Sequence, residues 1–334
     1  MKKIAIVGGA GFIGHNLAIY LKKYGYDPFI IDSLSVNNLY SLNDTEFENK
    51  ELYKSILNKR LELLADSKIE TIIEDARNYT ILSRTLSKIQ PDVIIQLAAV
   101  SHANKSNKDP HNTFDHSLRT LENSLDIARS FQNIKPCHFI YFSSSMVYGN
   151  FIKDEVDEDT QCDPIGIYDT LKLSGELIVK SYNRVFGIPY TIIRPSALYG
   201  ERCVSRRVGQ IFIENAVQAK NIQINGTGSE SLDFTYINDL CQGVKLVIEK
   251  KESLNETFNI TYGQSRTINE LIEILNSKFK KINVIFKPKE KFNPIRGTLN
   301  VNKAKNLLGY NPEYPIEIGY SNYIDWYKKF WKNN

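Results

Sequence analysis

Cysteine is scarce: there are four, at 137, 162, 203 and 241, with no CxxC pair among them. That spacing excludes a disulfide frame and a thiolate zinc site, and it fits a reducing cytoplasm. The five histidines show no ligand spacing, so no metal centre is expected. No apolar run approaches the roughly 18 residues of a membrane span. Met1-Lys2-Lys3 ahead of an apolar stretch has the charged start of a secretory signal, but the stretch breaks at Gly8, and polar His15 and Asn16 come soon after the break. Neither charge sign dominates: 42 Lys plus Arg against 38 Asp plus Glu leaves +4, too little for a polyanion-binding surface. Nucleic acid and membrane are therefore not expected partners. Internal repeats and low-complexity tracts are also missing, which removes solenoids and fibrous folds.

What is present is the composition of a soluble globular protein, 42% hydrophobic and 24% charged. At 334 residues the chain exceeds one ordinary core of about 150, so two lobes are expected. Through the first half, short apolar runs at 4–7, 29–32, 71–74, 92–99, 138–144 and 190–195 alternate with helix-period segments at 12–24, 114–131 and 168–186. That alternation is the signature of a parallel sheet covered by helices. The pattern predicts an α/β, Rossmann-type doubly wound sheet over 1–195 and a smaller mixed α/β lobe over 196–334, with a strand able to pass between the two. In the second part, helices are expected near 206–220, 238–250 and 267–279, with a strand at 222–224. A polar insertion at 37–66 predicts a helix with a loop and does not say what it serves. The Lys-rich stretch at 278–291 reads as a solvated face.

Gly8-Gly9-Ala10-Gly11-Phe12-Ile13-Gly14 comes directly after the first apolar run and opens the first helix. In that position Gly8 and Gly11 let the backbone approach a pyrophosphate at a helix N-terminus, while Gly14 permits close packing of helix on strand. Asp32 ends the second run, where a carboxylate accepts hydrogen bonds from an adenosine ribose. Ser33, Leu34 and Ser35 come next, with no arginine to relieve a 2′-phosphate, so the cofactor expected is NAD. Asp75 and Ala76, after the third run, make a second expected contact near the adenine. Farther on, Tyr168 and Lys172 stand four residues apart, one turn of a helix. A free phenol titrates near 10, so poising it near neutrality takes about 4 kcal/mol of preferential stabilisation of the phenolate. A partly buried Lys172 together with a nicotinamide cation could supply that.

GGAGFIG, Asp32, Leu97-Ala98-Ala99, SSSMVYG at 143–149, YDTLK at 168–172 and RPSALYG at 194–200 resemble the extended short-chain dehydrogenase/reductase family. The flavour is that of its nucleotide-sugar epimerases and dehydratases, the UDP-galactose 4-epimerase-like branch. The resemblance implies that Tyr168 is the general base for a sugar hydroxyl, that Lys172 holds the nicotinamide ribose, and that Ser144 hydrogen-bonds the reacting oxygen. It implies a cofactor site of Gly8, Gly11, Phe12, Ile13, Gly14, Asp32, Asp75, Ala76, Leu97, Ala98, Ala99, Tyr168 and Lys172. Ser145, Met146, Arg202, Arg206, Arg207 and Arg296 are the expected contacts of a nucleotide-diphosphate sugar. A homodimer through a four-helix bundle of 114–131 and 168–186, in the cytoplasm and in polysaccharide biosynthesis, is implied as well.

Relatives that eliminate water carry Asp and Glu after the Ser144 equivalent, and related decarboxylases carry Glu where Met146 stands. Ser145 and Met146 can do neither job, so the expected activity is NAD-dependent epimerisation, at C4. A net dehydrogenase or keto-sugar reductase is the alternative; a silent NAD-binding sensor or scaffold is the non-enzyme one. The sequence departs from the family at Leu232, where an arginine usually holds the diphosphate, and at Ala197, Ser117 and Thr120. Arg206, Arg207 and Arg296 are the expected replacements.

Overall fold

In the computed structural model, which describes residues 1–42, 48–101, 103–280, 282–288 and 294–332, seven parallel strands form the centre of the chain. They are β1 (Lys3–Val7), β2 (Asp27–Asp32), β3 (Glu70–Ile73), β4 (Val93–Gln96), β5 (His138–Phe142), β6 (Tyr190–Arg194) and β7 (Glu256–Asn259). Their order is β7-β6-β5-β4-β1-β2-β3, with every neighbouring pair parallel. The inner strands are apolar on both faces because helices cover both. Alternate residues of β1 feed different layers: Ile4 and Ile6 pack with Leu17, Val244 and Phe258, whereas Ala5 and Val7 pack with Leu121, Leu125 and Ile192. The fold is a Rossmann-type doubly wound sheet. Strand order reverses between β1 and β4, which opens a crevice at the carboxyl ends of both.

Helices α1 (Phe12–Lys23), α2 (Lys50–Asp66), α3 (Tyr79–Ile89), α4 (Thr120–Phe131) and α5 (Ile167–Phe186) lie among the first six strands. After β6 come α6 (Val208–Val217), α7 (Ile237–Glu249), α8 (Ile268–Lys278) and α9 (Ile316–Lys332). A further apolar cluster, with Phe212, Ile222, Leu271, Tyr320, Tyr323 and Tyr327, sits among α6, α8, α9 and the parallel pair 222–225 and 284–287. Helix α7 instead packs against α1, its Leu240 and Val244 joining the core of the main sheet.

Three expectations need correcting. The strand expected at 92–99 ends at Gln96, because the amides of Leu97 and Ala98 both turn to the Val7 carbonyl, at 2.8 and 2.9 Å. The helix expected at 114–131 is interrupted by a π-helical turn, Asp115–Arg119. Just past that turn the Thr120 hydroxyl bridges the His116 and Ala98 carbonyls, at 2.8 and 3.1 Å. Nothing in the sequence marked 256–259 as a strand, yet it pairs with β6 in register, Phe258 opposite Ile193. Of the insertion at 37–66, residues 43–47 lie outside the described residues; the rest is a short 3-10 turn, Leu39–Leu42, and helix α2. Part of the Lys-rich stretch, at 281 and 289–291, lies outside them too.

Candidate active site

The glycine loop is shaped by contact as much as by turn. A Cβ on Gly8, whose φ is +81°, would stand 2.5 Å from the Ala98 amide nitrogen, and one on Gly14 would stand 2.3 Å from the Gly9 carbonyl oxygen. Glycine is thus the residue these two positions accept. Helix α1 starts at Gly11 with no side-chain cap and no acid in its first turn, leaving first-turn N–H groups for an anion. The Asp32 carboxylate accepts the Ala10 amide on one oxygen, at 2.9 Å, and the Leu34 amide on the other, at 2.7 Å. Burial pushes this carboxyl up, and the two amides and the Arg60 charge pull it back. One lone pair per oxygen remains for ribose hydroxyls.

Gly8, Gly11, Gly14 and Asp32 line a cavity of about 200 Å³, together with Phe12, Ile13, Asp75, Ala76, Leu97, Ala98 and Ala99. It adjoins a larger one of about 810 Å³, lined by Ser144, Ser145, Met146, Tyr168, Lys172, Arg206, Arg207 and Arg296. Ile13, Leu97, Ala99, Ser101, Leu198, Cys203, Ser205 and Arg207 line both, so the two form one cleft. A dinucleotide would fit that arrangement, with Asp32 toward its adenosine end, the bare α1 terminus toward its phosphates, and Tyr168 and Lys172 toward its nicotinamide. Asp75 reaches the cavity with its carboxylate already committed to Arg77, three contacts between 2.6 and 3.1 Å holding its pKa down.

Tyr168 and Lys172 lie one turn apart on α5. The start of that helix is pinned by Asp169, whose carboxylate accepts the Ile165 and Gly166 amides at 2.8 and 2.7 Å. Ser144 caps the 3-10 turn Ser145–Tyr148, and its hydroxyl oxygen accepts the Met146 amide at 3.2 Å. Burial raises the Tyr168 phenol above its ordinary value, while the Arg207 charge, a hydrogen bond with Ser144 and the Arg296 charge draw it down. Lys172 sits lower in the wall. Its Nζ donates to the Phe142 carbonyl at 2.6 Å and is 6.0 Å from the Tyr168 ring centroid. Burial pushes it down to about 8, with the Glu176 carboxylate acting the other way. Glu176 is itself sealed: it accepts Arg194 Nε and Nη2 at 2.9 and 2.7 Å and the Ser143 hydroxyl at 2.5 Å.

The arginines separate. Arg296 donates to Ser145 Oγ and reaches Met146 Sδ at 2.7 Å, and among the described residues its buried Nε has no partner. Burial pushes its pKa down to about 10. Arg207 Nη2 donates to the Ser101 carbonyl at 2.7 Å. Arg206 lines the cleft beside it. Arg202 corrects the expectation: it lines neither cavity. Its backbone is left-handed, φ 63°, and its side chain turns to α1, donating to His15 Nε2 at 3.0 Å and Asn16 Oδ1 at 2.6 Å. Leu232 lines the cleft with no cation in its place.

Sequence reasoning missed Arg60. This guanidinium is 1% exposed, lines the smaller cavity and donates Nε and Nη2 to the Arg202 carbonyl at 3.0 and 2.6 Å. Its signal was available: Tyr53, Leu57, Arg60 and Leu64 share one face at helical spacing, an arginine on an apolar stripe. Among the described residues no His, Cys, Asp and Glu cluster could hold a metal ion, and no helix is long and apolar enough to cross a membrane.

A family model described as NAD dependent epimerase/dehydratase matches residues 4–261. The chain is 30% identical over 330 residues to an uncharacterized UDP-glucose epimerase of Bacillus subtilis, YtcB, spanning 96% of each chain. It is also 30% identical to the UDP-glucuronic acid 4-epimerase of Bacillus cereus, solved with UDP-glucuronic acid and NAD, covering 98% of this chain and 99% of that one at a TM-score of 0.85. The UDP-glucose 4-epimerase of Thermotoga maritima, 24% identical with a TM-score of 0.82 and covering 98% and 99%, shares the fold. The chain belongs to the NAD-dependent epimerase/dehydratase family, as an NAD-using sugar-nucleotide epimerase of the extended short-chain dehydrogenase/reductase type.

Proposed function

We propose that the protein inverts C4 of a UDP-linked hexose or hexuronic acid. The observation that carries this reading is the chemistry of the cleft wall. Among the described residues lining the larger cavity, Glu230 is the one carboxylate, and it accepts the Gly228 amide at 3.0 Å on its own loop. No acid and base pair stands beside Ser144 for removing a hydroxyl and a neighbouring C–H proton, which speaks for epimerisation over elimination. The names of the 30% identical relatives support UDP and C4.

In this reading Tyr168 takes the proton of the C4 hydroxyl and returns it, with Ser144 hydrogen-bonded to the same oxygen. Lys172 holds the nicotinamide ribose and adds positive charge near the phenol. NAD, when bound, supplies the hydride acceptor that oxidises the carbinol and the donor that restores it. Gly8, Gly11, Phe12, Ile13 and Gly14 carry its pyrophosphate, Asp32 its adenosine ribose, Asp75 and Ala76 its adenine, and Leu97, Ala98 and Ala99 its remaining wall. Arg207 and Arg296 hold anionic oxygens of the substrate, with Ser145, Met146 and Arg206 around the sugar. Arg202 is left out. Residues 1–195 serve the cofactor and 196–334 the substrate, with β7 as the strand that crosses between them.

A homodimer through α4 and α5 belongs to the same proposal; Leu177 and Val185, 61% and 67% exposed, lie on the outer face of α5. So do a cytoplasmic setting and a role in polysaccharide assembly. The test incubates the protein with catalytic NAD and UDP-, dTDP-, GDP- and CDP-sugars, following absorbance at 340 nm and resolving products by NMR. A C4 epimer without net NADH supports the reading; NADH rising in proportion to product overturns it.

A further inference from the structure

Helix α2 comes from the polar insertion whose purpose the sequence hid; it bonds one end of loop 202–207 directly and is linked to the other end through Glu214 and Gln210 of α6. At the start of the loop, Arg60 gives both Nε and Nη2 to the Arg202 carbonyl, while the Arg202 side chain is tied to His15 and Asn16 of α1. At its far end, Gln210 Oε1 accepts the Ser205 and Arg206 amides at 2.8 and 2.9 Å. Gln210 Nε2 donates to Glu214 at 2.7 Å, and Glu214 in turn accepts Asn49 Nδ2 and the Tyr53 hydroxyl at 2.8 Å each, and the Tyr327 hydroxyl. Gln210 and Glu214 are 2% and 4% exposed. A buried chain of this kind is expensive to break at any link, because each freed group loses its partner without gaining water.

The loop so held ends on Arg207, which lines both cavities and whose charge lies close enough to Tyr168 to pull on its phenol. Arg206, inside the loop, adopts φ 54°, a left-handed conformation that a non-glycine residue keeps only where its surroundings impose it. The two Gln210 contacts are on that residue and its predecessor.

We propose that Gln210, supported through Glu214 by Asn49 and Tyr53 of the insertion, is a positioning residue that fixes Arg207 against the substrate. Gln210 also lines the larger cavity, but its Oε1 is taken by the Ser205 and Arg206 amides and its Nε2 by Glu214, so its effect on substrate passes through Arg207. The inference rests on the reading of Arg207 as a substrate contact and goes beyond it by giving the insertion its task.

The experiment is a double-mutant cycle on the NAD-loaded protein. Gln210→Ala should raise KM for the nucleotide sugar by about tenfold and leave kcat within about twofold, the mark of lost positioning of a binding group. Arg207→Ala should raise KM at least as much, and the double variant should be no worse than Arg207→Ala alone. Effects that add instead would make Gln210 a general structural residue and overturn the proposal. Calorimetric affinity for UDP, read on the same four proteins, keeps the two readings apart. Non-additive UDP affinities without turnover on any nucleotide sugar would sink the epimerase reading and keep the positioning role. Normal turnover with additive effects would sink the positioning role alone. Tyr53→Phe, which removes one hydrogen bond at the far end of the chain, guards against a Gln210 variant that fails to fold. Amide hydrogen exchange at Ser205 and Arg206 should quicken by about threefold or more in it, and unchanged exchange there would overturn the proposal.

Discussion

The glycine loop at 8–14 and the loop at 202–207 face the same cleft and are held in opposite ways. The first is shaped mainly by backbone sterics, Gly8 against Ala98 and Gly14 against Gly9, with no side-chain cap on the helix it opens and side chains from outside reaching its backbone at Ala10, from Asp32 and Asn38. The second is fixed almost wholly by side chains from elsewhere, Arg60, His15, Asn16 and Gln210, each with a hydrogen bond to it. A cofactor common to many reactions can be met by a bare backbone, which leaves little for a side chain to vary. A substrate needs adjustable groups, and those need bracing. A strand-to-helix turn thus makes a site by leaving atoms out, whereas a loop of arginines makes one by tying atoms down.

The contrast is tested hardest at Tyr168, in the cavity that Ile13 of the first loop and Arg207 of the second both line. Tyr168→Phe should lower kcat by roughly three orders of magnitude while NAD affinity stays within a few-fold, measured by turnover and by calorimetry. Retained activity would remove the proposed base. Next comes the glycine loop. Gly8→Ala places a Cβ against Ala98 at a φ of +81°, which should cost about 2–4 kcal/mol and weaken NAD binding by about a hundredfold, visible as a lower Tm and a raised Kd. If Gly8→Ala binds NAD normally, the loop is not fixed by sterics and the contrast fails.

A smaller effect is expected from pH. Lys172 in the folded chain is pushed down to about 8, whereas a lysine in an unfolded chain keeps its proton to about 10.4. Between those values the unfolded state binds more protons, so this group makes the cofactor-free protein more stable as pH rises from 8 toward 10. Urea unfolding should show that slope in the wild type and a smaller one in Lys172→Met; equal slopes would mean that Lys172 is not desolvated. The smallest effect belongs to Asp75→Asn. Its carboxylate is spent on Arg77, so NAD affinity should change by less than about threefold, against a much larger loss for Asp32→Asn. Equal losses would put the Asp75 carboxylate itself, rather than the backbone beside it, on the adenine.

The same contrast explains what could be read in advance. Gly8, Gly11, Gly14 and Asp32 stand in order along one strand-helix-strand unit, and Tyr168 and Lys172 share one turn, so local spacing carries their meaning. The parallel sheet was legible for the same reason, its strands being short apolar runs in sequence order. Strand β7 was not, because Glu256 and Asn259 break its apolar pattern and only pairing with β6 makes it a strand. Arg202 misled because a left-handed backbone, which a sequence does not display at an arginine, turns it to α1. Helical spacing put Arg60 on a buried face, but its role and that of Gln210 rest on contacts with loop 202–207, which spacing does not display. The Arg60 partner is 142 residues away.

Strand β7 also sets a timetable. A ribosome delivers the chain from residue 1, and β6 has no outer neighbour until residues 256–259 have emerged. Until then the row of N–H and C=O groups on β6 is an open template, of the kind that recruits another nascent chain. Release of a truncated product ending near 195 would leave that edge bare for good. Completion of the sheet is thus deferred until the residues between β6 and β7, 195–255, have been added, and the cell's exposure to misassembly is set by how fast translation crosses that interval.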